Sequence, residues 1–360
     1  MTDEDIYQYA ANMIGSIVTD LSLGIYAKLG GSLTISWCPE PRVRAWAESM
    51  SGPEEPPKHN VVISYELARR FYRDAEDFHD FCGGGHLNGN LAAFFSDFDP
   101  KPQLSPNLSR EVSVQNMFLG AITWVFFHEL GHLVQEHGHI RKLFSNGSAL
   151  SLLVDCELSS QHPLNTETAL ICHVTEFAAD HEATLSCILE LVRHFLSVEG
   201  IWDSTHASSF RDTLFLFVCG LSAALYRFHG ERPEGPEAVP SSSHPTPVRR
   251  LEACLPSIYE TCDLMEEHHG MNRRQLVCLC SGAAYSVGFF WHSLYGKKDG
   301  IPDNFLVKGL LQDPYKESYW PAIIASWAKI EAEVRRIRRF GAELGILSFT
   351  DDFRNRVTSL

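Results

Sequence analysis

The chain has 360 residues, 44% of them apolar, 11% aromatic and 21% charged, a balance that supports one large core or two modest ones and excludes a disordered, collagenous or coiled-coil chain. Thirty Lys and Arg against 45 Asp and Glu give a formal charge of -15, which opposes approach of the whole molecule to nucleic acid or an anionic membrane. The acidic start, Thr2-Asp3-Glu4-Asp5, lacks the cationic and apolar regions of a secretory signal, and ten scattered cysteines without a CxxC pair read as reduced thiols. A cytoplasmic protein is expected, with at most peripheral membrane contact and no nucleic-acid partner.

In chain order, the periodicity predicts a helix over residues 6–29 closed by Gly30-Gly31, strands over 32–37 and 60–65, and a Pro-rich loop over 51–58 between them. A helix over 66–81 follows, then breaks at glycines 83–85 and at the Pro/Asn-rich stretch 99–107. A long helix is predicted over 111–137 with Gly138 as its cap, then a polar, loop-prone stretch to 165 and helices over 167–197 and 208–229. Residues 230–247 are Pro- and Ser-rich, and 248–268, 273–294 and 315–340 form a C-terminal helical group. The fold class expected is mainly α (α+β) with a small β element. The divisions are an N-terminal helix/strand region (1–110), a core (111–230), a linker (231–247) and the C-terminal helices (248–360). The apolar runs 213–226 and 276–296 carry Ser, Gly or Tyr and are expected as buried helices; no stable membrane span is anticipated.

Residues 126–132 read Phe-Phe-His-Glu-Leu-Gly-His, an HExxH motif on a segment whose apolar lead-in favours helix. Two histidines four apart project from one helix face a turn apart, so His128 and His132 can reach one Zn²⁺ while Glu129 beside them accepts a proton from water. A chain holding 17 histidines yields such a motif by chance in roughly six of a hundred cases, so a second feature is required.

The next long helix supplies it. Glu176 and Asp180 lie four apart on one face, the relation needed for a third ligand and for a carboxylate that orients a ligand histidine. Three protein ligands leave the open position of a catalytic zinc. Ala178 and Ala179 between them suit close helix packing better than a solvated acidic face. A histidine ligand downstream of HExxH would need Gly three and His six residues after His132, where Gln135 and Gly138 stand, so His137 and His139 read as the frayed polar end of the helix. His173 is expected behind the ligands or at the surface, and His181 off the carboxylate face.

HELGH followed by EFAAD resembles the gluzincin metallopeptidases, in particular the CaaX prenyl-protease/HtpX superfamily and the phage-exclusion Lit-type proteases. The stretch His244-Pro245-Thr246-Pro247-Val248-Arg249-Arg250-Leu251 is similar to the His-Pro-Pro…Arg-Ile segment that follows the ExxxD helix in that superfamily, with Arg250 at the matching offset from His244. The resemblance covers residues 112–251. It implies a zincin-like core in which His128, His132 and Glu176 bind one zinc ion, Glu129 serves as general base then acid, and Asp180 holds a ligand histidine. It further implies that His244 or Arg250 faces the cleft, stabilising an oxyanion or binding substrate. The implied activity is hydrolysis of peptide bonds in a protein or peptide substrate, by an intracellular protease of a phage-defence or stress system controlled through a regulatory partner.

Two other functions fit the residues: a non-catalytic binding or regulatory protein on a zincin scaffold, and a small-molecule amide hydrolase. An extended substrate is expected to add as a strand beside residues 60–65. Arg335, Arg336, Arg338 and Arg339 read as a solvated helix end, and Cys278 and Cys280 as core thiols.

Overall fold

A computed structural model describes residues 1–83, 93–144, 153–154, 164–199, 204–230, 239–264, 269–295, 315–341 and 343–358. Glycines 84–85, most of the polar stretch before 165, residues 231–238 of the Pro/Ser-rich segment and the end of the 248–268 helix lie outside them.

Helix α1 (Asp3–Leu21) starts three residues before its apolar periodicity because Thr2 and Asp5 form a capping box: the Thr2 hydroxyl accepts from the Asp5 amide at 3.2 Å, and the Asp5 carboxylate accepts from the Thr2 amide at 2.9 Å. A π turn (Ser22–Tyr26) and a 3₁₀ turn (Ala27–Leu29) prolong it to Gly30, whose φ of 66° ends the helix in the left-handed conformation that glycine adopts without strain.

Four strands follow, β1 (Ser32–Cys38), β2 (Ala45–Ser49), β3 (Lys58–Ser64) and β4 (Leu153–Val154), in the order β1-β3-β2-β4. Strand β3 is parallel to β1, with Ser32 opposite Lys58, and antiparallel to β2, with Ala45 opposite Ile63. Both of its edges are therefore occupied. This corrects the expectation that a substrate strand adds beside residues 60–65, because no ladder groups are left there to receive one. Strand β2 escaped sequence reading: Ala-Trp-Ala-Glu-Ser is short and poor in β-branched residues, and it is held by pairing with β3 and β4 and by the burial of Ala45 and Ala47 against the core.

The helices are α2 (Tyr65–Gly83), α3 (Arg110–Val134), α4 (His137–Phe144), α5 (Thr166–Glu199), α6 (Ser204–His229), α7 (Pro247–Asp263), α8 (Arg273–Leu294), α9 (Trp320–Ile337) and α10 (Asp351–Thr358). The molecule is mainly α with a small sheet, as its sequence predicts. One apolar core runs from Ile6 to Trp291 around α3; a second joins Ile171, Val174 and Phe177 of α5 to Trp320, Ile323 and Trp327 of α9.

Small residues let α3 sit close to its neighbours. A Cβ on Gly131 would stand 3.2 Å from the Ala179 carbonyl of α5, and one on Gly220 of α6 would meet the Met117 carbonyl at 2.3 Å. The glycine inside HExxH and the second alanine of EFAAD are thus where the two motif-bearing helices touch.

Helices Arg110–Val134, Ala207–His229 and Arg273–Leu294 are long and apolar enough to cross a membrane, and their most apolar windows are 83%, 72% and 67% buried within the protein itself.

The long helix predicted over 111–137 stops early. It ends at Val134, Glu136 adopts φ 52°, and α4 begins at His137, so Gly138 lies within the first turn of a new helix and caps nothing. Glu136 tolerates the left-handed conformation because its carboxylate accepts from Arg339 Nε at 2.5 Å, while the Arg339 amide donates to the Val134 carbonyl at 2.9 Å.

Candidate metal centre

His128 and His132 project from α3 one turn apart, and Glu176 faces them from α5; all three are at most 1% exposed. The two imidazole Nε2 atoms are 3.1 Å apart, Glu176 Oε2 is 3.3 Å from that of His128, and Glu176 Oε1 is 3.4 Å from that of His132. This group can hold a metal ion, and it unites residues about fifty positions apart in sequence.

The remaining ring atoms decide what the centre needs. His128 Nδ1 lies 2.9 Å from Asp180 Oδ1, so it carries a proton and donates it, leaving the Nε2 lone pair aimed inward. His132 Nδ1 lies 2.8 Å from Nδ1 of His137, close enough for one hydrogen bond. Where His132 donates, its Nε2 lone pair also points inward. Two lone pairs and a carboxylate then converge in a space shut off from water, and their mutual repulsion is relieved by a cation at the centre. The donor set fits a divalent metal.

Burial pushes the pKa of His132 down to about 4, only partly countered by Glu176, so this imidazole is in the neutral, ligating form at neutral pH. Burial also opposes ionisation of Glu176, yet His244, His132 and His128 hold its carboxyl well below the usual carboxylate range. Arg141 of α4 adds a charge-assisted bond at 2.5 Å to Glu176 Oε1 and a second, at 2.8 Å, to the Thr175 hydroxyl.

Asp180, Arg250 and Trp124 surround His128. The guanidinium of Arg250 donates to both Asp180 oxygens, at 2.7 and 2.9 Å, and Trp124 stacks on the imidazole with 5.3 Å between centroids. Arg250 is 4% exposed and grips Asp180, with Glu176 Oε2 at 3.7 Å. His244 stands at the other side, its Nε2 3.8 Å from Glu176 Oε1 and its Nδ1 2.8 Å from the Ser243 hydroxyl. Glu129, adjacent to His128, is fully buried. The structure thus gathers His128, His132, Glu176, Asp180, Arg250 and His244 in one place.

No protein-family model matches this chain. Nor does any curated protein or solved structure match it at a significant level.

Two residues at the centre, His137 and Arg141, were not legible as such. His137 read as a frayed helix end, but it is fully buried against His132, brought back by the chain reversal at Glu136. Arg141 carried no motif at all. His173, expected behind the ligands or at the surface, takes the first of these places: it is buried, with Nδ1 2.9 Å from the Tyr319 hydroxyl and Nε2 3.3 Å from that of Ser242, beside the turn bearing His244. His181 lies off the ligand face as expected, between the Ser257 hydroxyl and the Leu344 carbonyl.

The arginine run at the end of α9 is corrected in part. Arg335 and Arg336 pair with Glu331 and Glu333 at the surface, but Arg338 is buried on Glu182 of α5 at 2.5 Å and Arg339 on Glu136. A charge run in sequence cannot show that two of its members meet carboxylates from distant helices.

Beside the centre, a cleft of about 270 Å³ runs between β2 and the end of α3, lined by Ala47, Glu48, Ser49, His132, Glu136 and His139. His132, although only 1% exposed, is the one ligand that contributes to its wall. Of the ten cysteines, the nine described are free, and Cys172, Cys187, Cys219, Cys254, Cys262 and Cys280 are buried.

Proposed function

We propose that this chain is a zinc-dependent endopeptidase of the HExxH/ExxxD type, acting on an extended segment of a protein substrate. The observation that carries the proposal is the spacing of the three donors: a tetrahedral ion bonded at about 2.0–2.2 Å separates its ligands by about 3.3–3.6 Å, close to the 3.1, 3.3 and 3.4 Å between His128, His132 and Glu176. Two neutral imidazoles with one carboxylate is a donor set suited to zinc, and the gluzincin resemblance of HELGH and EFAAD adds to it.

Bound there, the ion would supply the Lewis acidity that activates water and polarises a carbonyl. The chain's own residues do the rest. Glu129 accepts the proton of the attacking water and passes it to the leaving amine. Asp180 fixes the tautomer and orientation of His128, with Arg250 holding Asp180, and His137 does the same for His132. His244, 15% exposed and nearest the surface, binds the substrate chain or the developing oxyanion. Substrate enters along the cleft beside β2. The buried fit of the three apolar helices against one another supports a cytoplasmic enzyme; the Lit resemblance supports a regulated role in phage defence or stress.

The near-complete burial of all three ligands favours a second function, a binding or regulatory protein whose ion holds α3 to α5 without catalysis. One experiment separates the two. Purified chain should contain one zinc per molecule by elemental analysis, and Glu129→Gln should keep the zinc while losing cleavage of targets identified by proteomics in expressing cells. Zinc-free protein, or equal cleavage by both chains, would refute the peptidase.

A further inference from the structure

One position along from Glu176 and Asp180, Phe177 and His181 turn toward a different cavity, of about 160 Å³, bounded also by Glu252 of α7, Trp320 of α9, and Phe349 and Phe353 of the C-terminal segment. Three of its walls are aromatic rings: Trp320 stands at 81° to Phe353, with centroids 5.5 Å apart, and at 69° to Phe349, while Phe349 and Phe353 stack on each other at 23°.

The polar member is out of keeping with such a lining. Glu252 is only 7% exposed and makes no hydrogen bond or ion pair with any described residue. The charged group nearest in influence, Arg249, lies over the Tyr319 ring at 3.9 Å, and burial pushes the Glu252 carboxyl up to about 8. Buried carboxylates are normally paired, because the uncompensated charge costs several kcal/mol. The Trp320 indole N–H is likewise buried with no acceptor among the described residues. Exposed Glu260 adds negative charge at the edge.

Two occupants are excluded by this chemistry. A purely apolar ligand would leave Glu252 unmatched. A metal ion finds only Glu252 within the cavity and exposed Glu260 at its edge, since both His181 nitrogens are engaged by Ser257 and Leu344. What remains complementary is a monocation with an apolar surface, which aromatic faces attract through their quadrupoles and a carboxylate neutralises.

We propose that this cavity binds an organic ammonium group, with Glu252 as its counter-charge and Trp320, Phe349 and Phe353 as the enclosing faces. The site is independent of the metal centre and of the peptidase proposal, although α5 forms a wall of both.

The test is titration of the full chain with tetramethylammonium and choline chlorides, followed by tryptophan fluorescence and calorimetry, with sodium chloride at matched ionic strength as reference. Saturable binding of both ammonium ions is expected, unchanged by EDTA. Glu252→Gln should weaken it about tenfold or more, and Phe353→Leu, which keeps the bulk and removes the π face, about two- to fivefold. Circular dichroism confirms that each variant is folded. The proposal is overturned if the ammonium salts behave as sodium chloride does, or if folded Glu252→Gln binds them as well as the unmodified chain. Should Glu252→Gln fail to fold, unchanged binding by Phe353→Leu overturns it equally.

Discussion

Glu176 and Glu252 are both almost wholly enclosed, and α5 borders both of their surroundings, yet their acidities move in opposite directions. The carboxyl of Glu176 is held low, against its burial, by the histidines around it and by Arg141 bonded to its Oε1; Glu252 keeps its proton to about 8 because burial is opposed only by Arg249, which makes no bond to it. Burial is common to the two, so it is the directly bonded polar company that sets the charge state. The first is a carboxylate already prepared for a cation by its surroundings, the second a carboxyl still awaiting one.

The sharpest way to break this comparison is to remove the charge of the first. Glu176→Gln should reduce zinc affinity by more than about a hundredfold in chelator competition. It should also cost about 3–5 kcal/mol in urea melts, since the buried Arg141 loses its counter-charge. Retained zinc binding would mean that Glu176 is not a ligand.

Asp180→Asn tests the support of His128 by a smaller step. Affinity for zinc should fall about ten- to a hundredfold while the three ligands remain. The amide cannot balance the Arg250 guanidinium, so a stability loss should accompany it.

Removing the charge of the second carboxyl should act through pH. In the folded chain Glu252 keeps its proton up to about 8, against 4.5 for the ordinary group, so between these values the folded state binds more protons than the unfolded one. Stability therefore falls as pH rises through this window, by an amount on the order of a few kcal/mol. Glu182, raised by burial to about 7 despite Arg338, contributes with the same sign at the lower end, so the difference between the chain and Glu252→Gln isolates Glu252. Melting temperatures from pH 5 to pH 9 should decline less steeply in the variant; parallel curves would show that Glu252 titrates normally.

The mildest test concerns the distance between the two motif helices. Gly131→Ala places a methyl 3.2 Å from the Ala179 carbonyl, which α5 must yield to by a few tenths of an ångström. A loss of about 1–3 kcal/mol is expected, with weaker zinc binding because His128 and His132 shift away from Glu176. Unaltered zinc affinity would mean that helix spacing and ligand spacing are uncoupled.

What was legible in the sequence follows from helix geometry. HExxH and ExxxD each fix residues four apart on one face, and the apolar residues around them announce helix; closeness of the two helices was hinted at by Ala178 and Ala179. The supports of the ligands were legible only in part. Asp180 could be read because it shares a helix with Glu176, whereas His137 depends on a left-handed residue, Glu136, that no periodicity reveals. Arg141 depends in turn on the helix that this reversal starts. Strand β2 and the inner place of β3 depend on pairings between strands that local pattern does not encode. Arg338 and Arg339 show the same limit, since their partners Glu182 and Glu136 are more than a hundred residues away.

Arg339 also ties together segments far apart in sequence. Its amide closes the end of α3, and its guanidinium donates to the carbonyls of Gly52 and Glu55, at 2.5 Å each, so a single residue joins the loop before β3, the helix bearing two ligands and the segment after α9. One guanidinium is thus shared by three regions, and whatever displaces it frees two loop carbonyls and the Glu136 carboxylate at once.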